Sequence, residues 1–326
     1  MIISRTPLRI SFAGGGTDLP AFYEHHGGGA VLSAAIDYYV YVLVNRKFDR
    51  DIRLSYSHMA EYVTHVDQVR HPMAREAMKA TGVTEAVEIV TVSDIPAEGT
   101  GLGSSSAFAV GVLNALHAYR GQLLSPMELA EQACHIEREV LKEPGGKQDE
   151  YAAAFGGLRH YEFHPEGRVS VQPLPLSRSE MQDFADHFSL FYSGLTRSGS
   201  RILSDQQNRT AENLTALKRM REMAFETRDA LLRRDFLTVG RLLDEGWQLK
   251  RQLAEGVSNA AIDSMHEKAM AAGALGAKVT GAGGGGFFLA AHPPDRAAAI
   301  ETALQGFRRL PWGPAASGSQ IIFVER

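Results

Sequence analysis

The chain has 326 residues, with 34 Lys or Arg against 38 Asp or Glu and a formal net charge of −4. Its 44% hydrophobic and 22% charged content is that of a globular protein of about two domains, and the slightly acidic balance excludes a basic field for nucleic acid or an anionic membrane. A single cysteine, Cys134, excludes a disulfide framework, no stretch approaches the ~20 apolar residues of a membrane span, and the first residues lack a signal-peptide pattern, so a cytoplasmic location is expected.

In chain order, residues 2–12, 30–45 and 87–93 are rich in Val, Ile and Tyr and read as strands. Residues 105–118 predict a helix that is apolar almost all round, hence buried. A second helix is expected over 125–141. Ser125, Pro126 and Glu128 form a capping box with proline at the first helical position, and Leu129, Ala133, Ile136 and Val140 line its inner face, with Cys134 as core packing. Pro173 and Pro175 interrupt the pattern, which puts a domain boundary near residue 175. The second half opens with the strand Phe188–Tyr192. Helical stretches follow over 198–232, 234–254 and 258–272, then a glycine turn at 281–286, a strand over 287–291, a helix over 294–306 and a strand over 320–325. This is an α+β pattern in two halves, 1–175 and 176–326, rather than a regular βαβ series.

The strongest local feature is Pro96-Ala-Glu-Gly-Thr-Gly-Leu-Gly-Ser-Ser-Ser106, between a strand and a buried helix. Gly99, Gly101 and Gly103, around Leu102, allow backbone conformations closed to other residues and a close ligand approach. The amides there and the helix N-terminus favour an anion, and Ser104, Ser105 and Ser106 offer hydroxyls to phosphate oxygens or Mg²⁺. The bland alternative is a flexible turn with a serine cap. No Gly-Lys-Ser/Thr closes the loop and the dinucleotide spacing is missing, so it is a phosphate loop of another kind.

Two further glycine segments flank it. Pro7-Leu-Arg9 runs along the first strand to Gly14-Gly-Gly16-Thr17-Asp18, a turn ending in the hydroxyl and carboxylate that sugar hydroxyls need, though Thr17-Asp18 also reads as a helix cap. Lys278-Val-Thr-Gly281-Ala-Gly283-Gly284-Gly-Gly286 precedes a strand, which means a close approach to the backbone, or else a hairpin or bulge. Glu137 lies at the edge of its helix's apolar face, where a carboxylate needs a partner or a metal; a rim salt bridge is the alternative. Asp149 follows the Pro144-Gly-Gly-Lys147-Gln148 turn and precedes a small-residue run, which gives it room in a cleft or makes it a helix cap. The histidines show no zinc-ligand spacing, and no G-x-S-x-G is present.

All three glycine segments, in this order, resemble the signature motifs of the GHMP (galactose, homoserine, mevalonate, phosphomevalonate) kinases. The runs Arg5–Asp18 and Gly146–Gly157 are similar to those of the D-glycero-D-manno-heptose 7-phosphate kinases, with the fucose kinase domain a near relative. Glu150 departs from that branch, which usually carries Gln there. The resemblance implies a ribosomal-protein-S5-like N-terminal domain, a ferredoxin-like C-terminal domain and an active site between them. It implies ATP and Mg²⁺, with Ser105 and Glu137 as metal ligands, Asp149 as the catalytic carboxylate and Arg9 facing the reacting phosphate. Gly16, Thr17, Asp18 and Gln148 fall at sugar-binding positions, and the third motif, through Gly283 and Gly284, is expected to close over phosphates and substrate. The expected reaction is γ-phosphoryl transfer to O1 of the heptose 7-phosphate, with Lys147 or Arg197 clamping the distal phosphate. A kinase for a free sugar such as L-fucose, or a silent sugar- and ATP-binding regulator, is the alternative. The expected partner is a small molecule, with no nucleic acid and no membrane.

Overall fold

The computed structural model describes residues 1–96, 99–195 and 199–325. The N-terminal half contains β1 (Ile2–Ala13), α1 (Pro20–Tyr23), β2 (Gly29–Arg46), β3 (Ile52–Tyr56), β4 (Met59–Val63), α2 (Pro72–Thr81), β5 (Val87–Ser93), α3 (Ser104–Tyr119), α4 (Pro126–His135), α5 (Gln148–Phe155), β6 (Leu158–Phe163) and β7 (Val169–Pro173). The remainder contains α6 (Arg178–Asp186), β8 (Phe188–Tyr192), α7 (Gly199–Asn208), α8 (Leu214–Leu232), α9 (Phe236–Lys250), α10 (Ala260–Ala271), β9 (Gly276–Val279), β10 (Phe287–Ala291), α11 (Ala297–Ala303), β11 (Arg308–Leu310) and β12 (Gln320–Val324).

The first sheet runs β12-β1-β2-β5-β3-β4, with β6 and β7 extending from β2. All its pairs are antiparallel except β3 with β5. The long strand β2 explains how two sequence patterns share one element. Its first half, residues 29–36, is buried throughout because β1 and β6 flank it and helices cover both faces. Its second half pairs with β5 and alternates, with Val40, Val42 and Val44 inward and the residues between them more open.

The second sheet, β11-β8-β10-β9, is antiparallel and carries α9 and α10 against β9. An apolar seam joins the halves. Phe12 of β1 lies 5.0 Å from each of Phe184 and Phe188, ring centroid to centroid, so one core runs from the first sheet into the second half. Such a seam holds the two halves in one relative orientation.

Several elements differ from the sequence reading. The helix expected over 198–232 is broken: α7 ends at Asn208 and α8 starts at Leu214. Thr210 at the break bonds its hydroxyl back to Gln206 and Gln207, local bonding that competes with helix. The helix from 125 is α-helical only to His135 and continues as one π-helical turn over Ile136–Val140. The final strand does not stay with the second half: β12 pairs with β1, so 320–324 returns to the first sheet across the proposed 1–175 and 176–326 division. Among the described residues no helix is long and apolar enough to cross a membrane.

Candidate active site

Strand β1 delivers the first functional side chain. Its register against β2 shifts between Pro7 and Leu8 and again between Ser11 and Ala13, irregularities of the kind that re-aim side chains. Arg9 lies between these points with only 4% of its surface exposed. Its Nε donates to Asp149 Oδ1 at 2.8 Å and its Nη2 to Asp149 Oδ2 at 2.5 Å, a two-point fork. Its Nη1 donates to the Gly101 carbonyl at 2.6 Å, and its backbone N–H to the Leu102 carbonyl at 2.9 Å. Asp149 is therefore not a helix cap. It stands in the first turn of α5 and points at Arg9.

The glycine loop follows from three left-handed residues. Gly99, Gly101 and Gly103 have φ of 70°, 73° and 78°, where only glycine is unstrained. Gly103 caps α3 without a side chain, so the first-turn N–H groups meet no intrahelical acceptor. The three serines after it divide. Ser104 is buried and shares a hydrogen bond with Thr100 at 3.3 Å, and Ser106 is buried and donates to Glu150 at 3.2 Å. Ser105 alone of the three is exposed, and it lines the cleft.

The first glycine turn presents Asp18. Its Oδ1 accepts from Gly16 N at 3.0 Å and from Gln148 Nε2 at 3.2 Å, and its Oδ2 from Gln148 N at 3.2 Å. Gly146 must be glycine, because a Cβ there would overlap the Asp18 carboxylate. Burial first, and the Asp149 charge second, raise the pKa of Asp18, while the backbone N–H bonds from Gln148 and Gly16 restrain it.

The π-helical turn places the last group. It brings Glu137 and Arg138 together beside Glu150 of α5; such turns recur at functional sites. Arg138 Nη2 donates to both Glu150 oxygens at 3.0 Å. Burial and then Glu150's charge push Glu137 well above the usual range, whereas Arg138 keeps Glu150 low against the opposing effect of its burial. Glu137 Oε2 is buried without a partner among the described residues. A buried orphan oxygen beside a second carboxylate is relieved by a cation. Glu137 and Ser105 line the same cleft, and no group of three or more His, Cys, Asp or Glu is placed for a metal among the described residues. A hydroxyl and one carboxylate fit Mg²⁺, which keeps waters and phosphate oxygens in its shell.

These groups surround one cleft, open to solvent on one side. Four buried polar atoms without partners among the described residues belong to residues on its wall: Ser11 Oγ, Glu137 Oε2, Gln148 Oε1 and Gln206 Nε2. Buried polar groups are normally satisfied, so this concentration points to a polar ligand.

Of the residues named from sequence, Arg9, Gly16, Asp18, Ser105, Ser106, Glu137, Gln148 and Asp149 line the cleft. Thr17 does not: its hydroxyl donates to the Gly14 and Ala30 carbonyls and accepts from Ala30 N, leaving it committed to the turn. Lys147 turns away, donating to the Gly167 carbonyl at 3.1 Å and lying over the Tyr23 ring. Gly283 and Gly284 pack on Val257. Gly281 and Ala282 of the same motif reach the cleft instead. That motif buttresses the glycine loop from behind: Phe287 N donates to the Thr100 carbonyl, and a Cβ on Gly281 would strike Gly101. Arg197 lies outside the described residues. Sequence reasoning missed Ser11, Gln206 and Lys250, also on the wall. Ser11 sits inside the first motif between Arg9 and Gly14, whereas Gln206 and Lys250 sit in none, and only the fold brings α7 and α9 to the cleft.

The family model "GHMP kinases N terminal domain" matches residues 67–157, and "GHMP kinases C terminal" matches 227–308. A D-glycero-alpha-D-manno-heptose 7-phosphate kinase of Campylobacter jejuni is 31% identical over 301 residues, 88% of each chain. An L-fucokinase/L-fucose-1-P guanylyltransferase of Bacteroides fragilis is 26% identical over 93% of this chain but 36% of that protein. The solved structure of a D-glycero-D-manno-heptose 1-phosphate kinase from Bacteroides thetaiotaomicron superposes over 100% of both chains with a TM-score of 0.83 and 26% identity. This chain belongs to the GHMP kinase family and is a phosphotransferase with an alcohol group as acceptor.

Proposed function

We propose that the enzyme transfers the γ-phosphoryl group of ATP to the anomeric O1 of D-glycero-D-manno-heptose 7-phosphate, giving the 1,7-bisphosphate for nucleotide-heptose synthesis. The observation that carries the reading is the Arg9–Asp149 fork beside the Asp18–Gln148 pair in the cleft that Ser105 also enters. The likeness to the Campylobacter jejuni enzyme over most of both chains supports the choice of acceptor. We take residues 1–175 as the domain of the phosphate loop and catalytic carboxylate, and 176–326 as the C-terminal domain, with the last strand lent back to the first sheet.

In this mechanism, Asp18 and Gln148 hold sugar hydroxyls, using the free Gln148 Oε1 as a further acceptor. Asp149, fixed by two bonds from Arg9, accepts a hydrogen bond from O1–H and takes its proton. The O1 oxygen forms a bond to the γ-phosphorus as the bond to the β-bridging oxygen breaks, and ADP leaves with that electron pair. The glycine loop and the α3 N-terminus receive the phosphates. Ser105 and Glu137 would hold Mg²⁺, which would neutralise charge on the phosphates. An anomeric hydroxyl is more acidic than an ordinary alcohol, so positioning matters more than base strength.

The test is ADP release from MgATP with the heptose 7-phosphate against L-fucose, D-mannose and D-galactose, with the product's phosphorus located by NMR. Asp149→Asn should lower kcat by about 10²–10⁴-fold while nucleotide still binds. Near-full turnover in that variant sinks the assignment. A second reading, a free sugar such as L-fucose as acceptor, is favoured by one observation: Lys147, a candidate for the distal phosphate, is turned toward Gly167. Turnover on L-fucose alone would select it.

A further inference from the structure

Among the described residues, three cationic side chains line the cleft, and two are already neutralised. Arg9 is forked onto Asp149, and Arg138 is held by Glu150. The third is Lys250, the last residue of α9, which is 8% exposed. Its ammonium donates to the Gly281 carbonyl, and no carboxylate pairs with it among the described residues. A buried ammonium satisfied only by a carbonyl is unfavourable unless an anion joins it.

The surroundings make the imbalance larger. Arg9 of β1, Asp18 of the first turn, Asp149 of α5 and Lys278 of β9 are the charged groups that act on Lys250 or are acted on by it. Lys278 is also buried, donates to the Ser11 carbonyl at 2.9 Å, and pairs with no carboxylate among the described residues. Three cations thus face two carboxylates. Burial, and then Arg9, pull the Lys250 pKa down to about 8, with Asp18 and Asp149 opposing. Burial, Lys250 and Arg9 together lower that of Lys278 well below the ordinary lysine value. An anion bound at Lys250 corrects both.

We propose that Lys250 binds a phosphate oxygen in the cleft and is a further catalytic residue of the enzyme, contributed by the C-terminal half. The inference rests on the kinase reading of the site but not on the identity of the sugar. With Arg9 committed to Asp149 and Gly101, Lys250 is, among the described residues lining the cleft, the cation without a carboxylate partner to meet charge on the moving phosphoryl. The same chemistry fits a phosphate carried by the acceptor, and the experiment separates the two sources.

Lys250→Met keeps the length of the side chain and removes its charge; Lys250→Arg keeps the charge. Calorimetry of each variant with MgADP and with the non-hydrolysable Mg–AMPPNP reads the nucleotide's terminal phosphate alone. A charged hydrogen bond of this kind corresponds to about a 10- to 150-fold change. If the nucleotide is the source, Lys250→Met loses Mg–AMPPNP affinity by that factor and leaves MgADP affinity unchanged. If the acceptor is the source, nucleotide affinities stay and KM for the phosphorylated acceptor rises by that factor. In either case Lys250→Arg recovers part of the loss. A folded Lys250→Met enzyme with unchanged affinities, KM and kcat overturns the proposal. Should Lys250→Met fail to fold, the wild-type enzyme still decides: Mg–AMPPNP affinity must fall with rising pH beyond about 8 more steeply than MgADP affinity, or the acceptor's KM must rise there, and if neither depends on pH the proposal fails. A missing heptose 7-phosphate activity would leave the nucleotide comparison readable, so the two failures are distinct.

Discussion

Removing the Glu150 carboxylate tests the buried charge network beneath the cleft. Glu150 is 1% exposed, and the guanidinium it holds belongs to a side chain 12% exposed. In Glu150→Ala, Arg138 keeps the carbonyls of Cys134 and Gly145 but loses both charged bonds at 3.0 Å. Ser106 loses its acceptor as well. Breaking one side of a buried ion pair costs about 3–5 kcal/mol. Part of this is recovered, because Glu150's charge, after burial, is what raises the Glu137 pKa. With Glu150 gone, Glu137 ionises and becomes the counter-ion of Arg138. The net loss expected is ~2–4 kcal/mol for Glu150→Ala. For Glu150→Gln, which keeps one acceptor oxygen for Arg138 and Ser106 but removes the charge, the loss is smaller, ~1–2 kcal/mol.

The assay is urea unfolding followed by far-UV circular dichroism, comparing midpoints at constant slope. The pH dependence adds a signed check. The folded pKa of Glu137 lies above its ordinary 4.5, so the folded state binds the extra proton. Its contribution to stability is full below 4.5 and is lost as pH rises through the folded value. That downward slope should flatten in Glu150→Gln. A Glu150→Ala protein within about 0.5 kcal/mol of wild type, or a Gln variant as damaged as the Ala variant, would refute the reasoning.

Three further outcomes are expected. Thr17→Val should lose ~1–3 kcal/mol of stability, since the Gly14 and Ala30 groups lose their partner, while KM for the acceptor stays unchanged; a raised KM with normal stability would restore Thr17 as a substrate ligand. Gly281→Ala places a side chain at φ 67° and against Gly101, so it should push the phosphate loop forward and raise KM for nucleotide more than for the acceptor, as steady-state kinetics would read. For Lys250 the folded pKa near 8 lies below the ordinary 10.5, so between those values the unfolded chain binds the extra proton and stability rises with pH. The rise should be on the order of 3 kcal/mol in the ligand-free enzyme and absent from Lys250→Met in parallel unfolding curves at pH 7.5 and 10.5.

The cleft was legible wherever its residues sit in short motifs that carry their own backbone geometry. Gly99, Gly101 and Gly103 require left-handed φ, and the Ser104–Ser106 run follows them directly, so a glycine loop opening onto a helix N-terminus follows from the local sequence. Asp149 was legible as a carboxylate in a cleft because a glycine turn precedes it and small residues follow. Its partner was not, since 140 positions separate it from Arg9. The same limit applied to Thr17 and Asp18, which are adjacent in sequence but face opposite ways: the hydroxyl binds the Gly14 and Ala30 backbone, and the carboxylate meets Gln148. No local pattern assigns which of two neighbours turns inward.

By itself the sequence determined the α+β class, several strands and helices of each half and the glycine loop before α3, because periodicity, capping and glycine conformation act over a few residues. Tertiary structure alone decided the rest. It returned β12 to the first sheet, since edge pairing with β1 depends on a partner more than 300 residues away. It converted the end of one helix into a π-turn so that Glu137 and Arg138 both reach Glu150. It also seated Lys250, from an otherwise ordinary amphipathic helix, among Arg9, Asp18 and Asp149. Charges so distant in the chain influence one another only where packing removes water from between them.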